Sequence, residues 1–128
     1  MSLGSVLLVE DNDDLRFFHG NMIREWGYEV TVAEHGKQAI QILQSGVSID
    51  IVVTDFQMPE LNGAGLIAWI ADSGLHFQSV ILLTSMYDDD PEIQSLEKDV
   101  AAKLRYTYLH KTEAFSLRRV LQDATPSQ

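Results

Sequence analysis

The chain has 128 residues, 45% of them hydrophobic and 22% charged, a globular composition for one domain able to bury its own core. It contains no cysteine, so disulfides and thiolate metal sites are excluded, and its net charge of −10 opposes contact with phosphate backbones, so no direct nucleic-acid partner is expected. No apolar run reaches the ~20 residues needed to span a bilayer, no signal peptide is visible, and the expectation is a cytoplasmic protein without membrane contact.

Residues 1–4 (MSLG) read as an engineered leader, residues 5–123 as the domain, and residues 124–128 as a fraying tail or a trimmed linker. The first apolar run, Val6-Leu7-Leu8-Val9, is compact enough for a strand covered on both faces. A helical stretch follows, with Leu15, Phe18, Met22, Ile23 and Trp26 on one face and Gly27 ending it. Phe17, Phe18, Trp26 and Trp69 all read as core or half-buried helix positions. Tyr28–Val32 is a mixed strand suited to a sheet edge. Ala39, Ile40 and Leu43 mark a second helix, ended by Ser45-Gly46.

Ile49–Val53 is the third strand, and it runs directly into Asp55 and the turn Gln57-Met58-Pro59. Leu66, Ile67 and Ile70 mark the third helix, with Asn62 and Gly63 leading in. Val80–Leu83 is the fourth strand. Asp90-Pro91-Glu92 supplies an N-cap, a proline for the first helical position and a first-turn acid, so Asp88-Asp89-Asp90 is read as cap plus solvated loop. Ile93, Leu96, Val100, Ala101 and Leu104 form the fourth helix, Tyr106–Leu109 an edge strand, and Leu117, Val120 and Leu121 the fifth helix. His110 is expected to face outward.

Strand–helix alternation repeated five times gives an α/β fold, a doubly wound parallel sheet with helices on both faces. Such folds bind ligands outside the carboxyl ends of their strands. Those ends carry Glu10-Asp11, Asp55, Thr84-Ser85 and His110-Lys111. Singly, each is as readily a turn residue; together they form a chemical set. Three crowded carboxylates resist full ionisation, and a hard divalent cation such as Mg²⁺ relieves the repulsion. Lys111 can pair with Asp55 or an incoming phosphoryl group, and Thr84 can donate to a phosphoryl oxygen. The set suits phosphoryl transfer with Asp55 as the attacking group. No glycine-rich phosphate loop is present, which disfavours a nucleotide-binding relative.

The stretches VLLVEDND, DIVVTDFQMPELNG, VILLTS and YLHK, in this order, resemble the receiver domain of two-component response regulators over nearly the whole length. The resemblance implies a five-stranded flavodoxin-like (βα)5 fold with strand order 2-1-3-4-5. It implies that Asp55 is the phosphoacceptor, fed by a histidine kinase or histidine phosphotransfer protein. Glu10, Asp11, Asp55 and the backbone carbonyl of Gln57 then hold Mg²⁺ or Mn²⁺, with Glu10 acting through water. Thr84 becomes the switch hydroxyl, Lys111 the site lysine and Tyr108 the aromatic switch, while Met58-Pro59 and Gly63 shape the loop. Gln57 and Met86 flank the site as residues that would tune phosphoryl lifetime. The implied partners are a kinase or phosphotransfer protein, a downstream effector and a second copy in a homodimer. The implied role is a signalling switch rather than an enzyme, read out on helix 4, strand 5 and helix 5. Two other readings stay open: a degenerate receiver acting as a phosphorylation-independent interaction module, and an aspartyl-phosphate phosphatase, which Gln57 disfavours by occupying the usual acid–base position.

The sequence departs from the pattern at Thr112, where the family usually has a cis proline. A cis bond before a non-proline residue costs ~2.5–4 kcal/mol, so a trans Lys111-Thr112 bond and a reshaped loop are expected. The usual Gly-Ala pair before the last strand is replaced by Ala102-Lys103-Leu104-Arg105, and the longer Thr84–Lys111 segment predicts an extended or shifted fourth helix.

Overall fold

The computed structural model describes residues 2–125. Five strands alternate with five helices: β1 Ser5–Val9, α1 Asp13–Glu25, β2 Glu29–Ala33, α2 Gly36–Gln44, β3 Ile51–Thr54, α3 Gly63–Asp72, β4 Ser79–Thr84, α4 Pro91–Val100, β5 Tyr106–His110 and α5 Leu117–Ala124. A 3-10 segment, Lys111–Ser116, joins β5 to α5. The strands form one sheet, every pairing parallel as the strand–helix alternation predicts, in the order β2-β1-β3-β4-β5 that the family resemblance implies. The sheet order reverses beside β1, so the carboxyl ends of β1 and β3 flank a crevice where ligands bind in such sheets.

Side-chain alternation divides the core in two. Leu7, Val9, Val52, Val80 and Leu82 meet the buried faces of α2, α3 and α4, including Leu43, Leu66, Ile70, Ile93 and Leu96. Val6, Leu8, Ile51, Val53, Ile81 and Leu83 meet Ile23 of α1 and Leu117 and Leu121 of α5. Strands buried on both faces have to be nearly all apolar, and β3 and β4 are buried at every position. A polar group placed just past them is therefore held by a stiff, dry support.

The helix caps follow the sequence signals. Asn12, Asn62 and Asp90 accept backbone N–H groups from Leu15, Gly65 and Glu92, each at 2.9 Å. At the chain's start, the Leu3 N–H donates to the Gly27 carbonyl at 2.8 Å and Glu29 N–H to the Gly4 carbonyl at 3.0 Å. Near its other end, the hydroxyls of Thr125 and Tyr28 lie 2.9 Å apart; Met1 and residues 126–128 of the expected leader and tail lie outside the described residues.

Three expectations are corrected. Phe17 and Phe18 are 60% and 61% exposed rather than core or half-buried. The buried stripe of α1 is His19, Gly20 and Ile23; at about 100° per residue both phenylalanines sit roughly 120–140° around the helix from Ile23. The fourth helix is not extended: it ends at Val100, and Lys103 and Leu104 N–H groups both turn back to the Val100 carbonyl at 2.9 Å. Ala101 is exposed there, while Leu104 still packs on the core from the turn. His110 is buried, not outward-facing, because strand parity sets it with Tyr106 and Tyr108 and the loop after β4 covers it. The Lys111-Thr112 bond is trans, as expected, with no cis peptide among the described residues.

Candidate functional site

The chain leaves β1 at Glu10 with its N–H on the Ala33 carbonyl at 3.0 Å, and leaves β3 at Asp55 with its N–H on the Val9 carbonyl at 3.0 Å. These two ladder bonds fix where both acids stand. Glu10 is 2% and Asp55 8% exposed. Lys111 reaches across from the end of β5, and its Nζ donates to Glu10 Oε1 and Asp55 Oδ2, both at 3.0 Å. The remaining oxygens are also engaged: Asp55 Oδ1 accepts the Phe56 N–H at 2.7 Å, and Glu10 Oε2 accepts the Asn12 N–H at 3.2 Å.

Asp11 completes an acidic cluster. One carboxylate oxygen from each of Glu10, Asp11 and Asp55 lies within 4.8 Å of the others, with Asp11 exposed to solvent. Three hard oxygen donors at this spacing, one open to water, match what Mg²⁺ takes from protein. The electrostatics agree. Burial, with the neighbouring Asp55 charge adding to it, pushes the Glu10 carboxyl above its ordinary range despite the Lys111 hydrogen bond. Burial works against the Lys111 charge, but the hydrogen bonds to Asp55 and Glu10 outweigh it and hold its pKa above the usual lysine value. One ammonium thus serves two buried acids, and a third acid stands beside them without it.

A glycine keeps the loop close. Gly63 N–H donates to the Phe56 carbonyl at 2.7 Å, and a Cβ there would stand 2.2 Å from the Asp55 carbonyl oxygen and 2.8 Å from Phe56 Cα. The start of α3 is therefore pressed directly onto the backbone that carries Asp55. Thr84 is fully buried at the end of β4, and its hydroxyl oxygen accepts the Met86 N–H at 3.1 Å. The Tyr108 hydroxyl donates to the Met86 carbonyl. Thr84 and Tyr108 thus meet through Met86 rather than touching each other. Gln57 lies with its side chain exposed in the loop after β3.

Sequence reasoning overlooked two groups near the acids. Arg16 donates through Nη1 to the Glu10 carbonyl at 2.9 Å, bracing the turn after β1; its spacing from Asp13 was the available signal. His19 is buried on α1, and burial, then the Lys111 charge, lowers its pKa.

Comparison with known proteins decides the family. The family model "Response regulator receiver domain" matches residues 6–116. The chain belongs to the response regulator receiver family. This receiver domain is 32% identical over 117 residues to the sensor kinase CckA of Brucella abortus, covering 91% of the chain and 12% of that protein. It is 33% identical over 82 residues to the chemotaxis protein CheY1 of Helicobacter pylori, covering 62% of the chain and 66% of that protein. The structure of Vibrio cholerae CheY4 superposes with a TM-score of 0.80 at 25% identity, covering 94% of the chain and 98% of CheY4. Thermotoga maritima TrrA, solved with Mg²⁺–BeF, shares the fold at a TM-score of 0.76 and 23% identity, covering 97% of the chain and 99% of TrrA. The receiver domain spans only 12–13% of the length of the sensor kinases it matches.

Proposed function

We propose that this receiver domain takes a phosphoryl group from a phosphohistidine donor, on a histidine kinase or histidine phosphotransfer protein, onto Asp55. A carboxylate oxygen of Asp55 attacks phosphorus, a P–O bond forms, the P–N bond to the donor imidazole breaks, and that imidazole keeps the electron pair. The observation that carries this reading is the acid cluster around one ammonium: Glu10, Asp11 and Asp55 within 4.8 Å, two of them on Lys111 Nζ at 3.0 Å. Glu10, Asp11, Asp55 and the Gln57 carbonyl would hold Mg²⁺ or Mn²⁺, which when bound supplies positive charge to the transferring phosphoryl oxygens. Lys111, already on Asp55 Oδ2, would add its positive charge to the same oxygens, and the Phe56 N–H fixes the carboxylate's orientation.

The switch follows from Thr84. Its oxygen is occupied by the Met86 N–H, while its own hydrogen can turn to a phosphoryl oxygen on Asp55. Any shift of Thr84 moves Met86, whose carbonyl holds Tyr108, and so moves the β4–α4 loop against β5. A hollow of ≈ 440 Å³ between α4, β5 and α5, lined by Glu97, Leu104, Arg105, Tyr106, Val120 and Asp123, supports reading this face as the one where an effector or second copy engages.

The test is incubation with acetyl phosphate and Mg²⁺ followed by intact-mass measurement. A phosphate-sized gain that disappears in Asp55→Asn and on chelation is the expected result. No gain under any condition would instead favour a phosphorylation-independent interaction module, and multiple turnover of a phosphate ester would favour a phosphatase.

A further inference from the structure

The residue before the site lysine is more than a strand end. His110 Nε2 lies 3.0 Å from the Ser85 carbonyl oxygen, and His110 Nδ1 lies 3.1 Å from the Thr112 backbone nitrogen and 2.7 Å from Thr112 Oγ1. A backbone N–H can only donate and a carbonyl can only accept. Nδ1 is therefore the bare, accepting nitrogen and Nε2 carries the hydrogen. The Tyr87 ring, itself 68% exposed, stacks on the imidazole at 4.5 Å and 21° and covers it from water.

One side chain thus spans two loops. On one side it holds Ser85 and Tyr87, directly after Thr84; on the other it holds Thr112, directly after Lys111. The backbone here is trans, and the His110 side chain caps the 3-10 segment Lys111–Ser116 through the Thr112 N–H. We infer that His110 is a positioning residue, a clamp that fastens the loop after β4 to the loop after β5 and keeps Thr84 and Lys111 in register for phosphoryl transfer. The inference rests on the function proposed above, and it adds a control on that site through a residue that touches neither the acids nor the phosphoryl group.

His110→Asn and His110→Ala separate the clamp from mere local folding. Asparagine keeps a short acceptor for the Thr112 N–H, since Asx side chains cap the residue two positions on, but it cannot span to Ser85. Three readouts are taken: the imidazole tautomer of the unmodified protein by nitrogen-detected NMR, amide exchange at residues 84–87, and the rate of phosphate uptake from acetyl phosphate with Mg²⁺. The expected results are an Nε2–H tautomer, faster exchange at Met86 and Tyr87 in both variants, and a rate in His110→Asn lowered about tenfold to a hundredfold with little change in melting temperature. An Nδ1–H tautomer, or a His110→Asn rate within about twofold of the parent (a negligible energy by the transition-state relation), overturns the inference. If the parent itself accepts no phosphate, the functional reading fails separately, and exchange decides the clamp: faster in His110→Asn upholds it, unchanged overturns it.

Discussion

Replacing Lys111 by methionine keeps most of the unbranched side chain and removes the ammonium, so it isolates what that charge does for the two acids beneath it. The Lys111 side chain is 20% exposed, against 3% for Glu10 and 9% for Asp55. Removing one partner of a buried ion pair costs ~3–5 kcal/mol; the residual solvent contact of Lys111 places the expected loss lower, at ~2–3 kcal/mol at pH 7 without metal. For a domain of this size that lowers the melting temperature by roughly 6–12 °C. The pH dependence carries the diagnosis. Glu10 has a folded pKa raised by burial and then by Asp55, so its contribution is fully present below the unfolded glutamate value and is lost as pH rises through the folded one. Without Lys111 that folded pKa climbs further, and the penalty of Lys111→Met grows from acid pH toward neutrality. Lys111 itself has a raised pKa, so its stabilisation is complete below the usual lysine value and fades only in strong alkali. Urea denaturation of both proteins at pH 5 and pH 7, in chelator, measures this. A penalty that is equal at the two pH values, or absent at both, would refute the electrostatic account of the site.

Mg²⁺ at a hundred times its dissociation constant is expected to stabilise the parent by ~2.7 kcal/mol, an effect read from melts with metal or chelator and lost in Asp11→Asn. Gly63→Ala drives a methyl to 2.2 Å from the Asp55 carbonyl oxygen, so it should cost about 3 kcal/mol or more and abolish phosphate uptake even where the chain still folds; chemical denaturation and intact mass check both parts. Tyr106→Phe removes a buried hydroxyl with no hydrogen-bond partner among the described residues, so a gain of ~1 kcal/mol in urea denaturation is expected. Tyr106 should also resist ionisation in an alkaline absorbance titration of the parent, because burial, with Glu97 nearby, raises its phenol.

Much of this was legible in the sequence because parallel strands buried on both faces have one solution, a short apolar run. Val6–Val9, Ile49–Val53 and Val80–Leu83 declare themselves that way, although the third strand begins only at Ile51, and their polar successors are the candidates for the site. Topology puts the ends of β3 and β5 on the same edge, and of the two roles the sequence leaves open to Lys111 the structure supplies the contact with Asp55. Facing directions were harder. Around α1, apolar side chains occur at Leu15, Phe17, Phe18, Met22, Ile23 and Trp26, so the pattern fits more than one stripe and the phenylalanines were assigned inward. The end of α4 was overdrawn because Leu104 keeps the helical spacing yet packs from a turn. His110 reads as outward-facing because its cover comes from Ser85 and Tyr87, and a covering loop leaves no periodic trace.

The site is also assembled from chain segments that are born far apart. Lys111 lies 101 positions after Glu10 and 56 after Asp55, so during synthesis the acids emerge from the ribosome long before their ammonium does. Closing so long a span is among the later events available to a folding chain, and until then these carboxylates must stay hydrated or borrow a cation from the surroundings. A polypeptide stopped short of residue 111 would hold the negative half of the centre without the means to bury it, which makes the emergence of β5 and the lysine after it the step that seals the pocket.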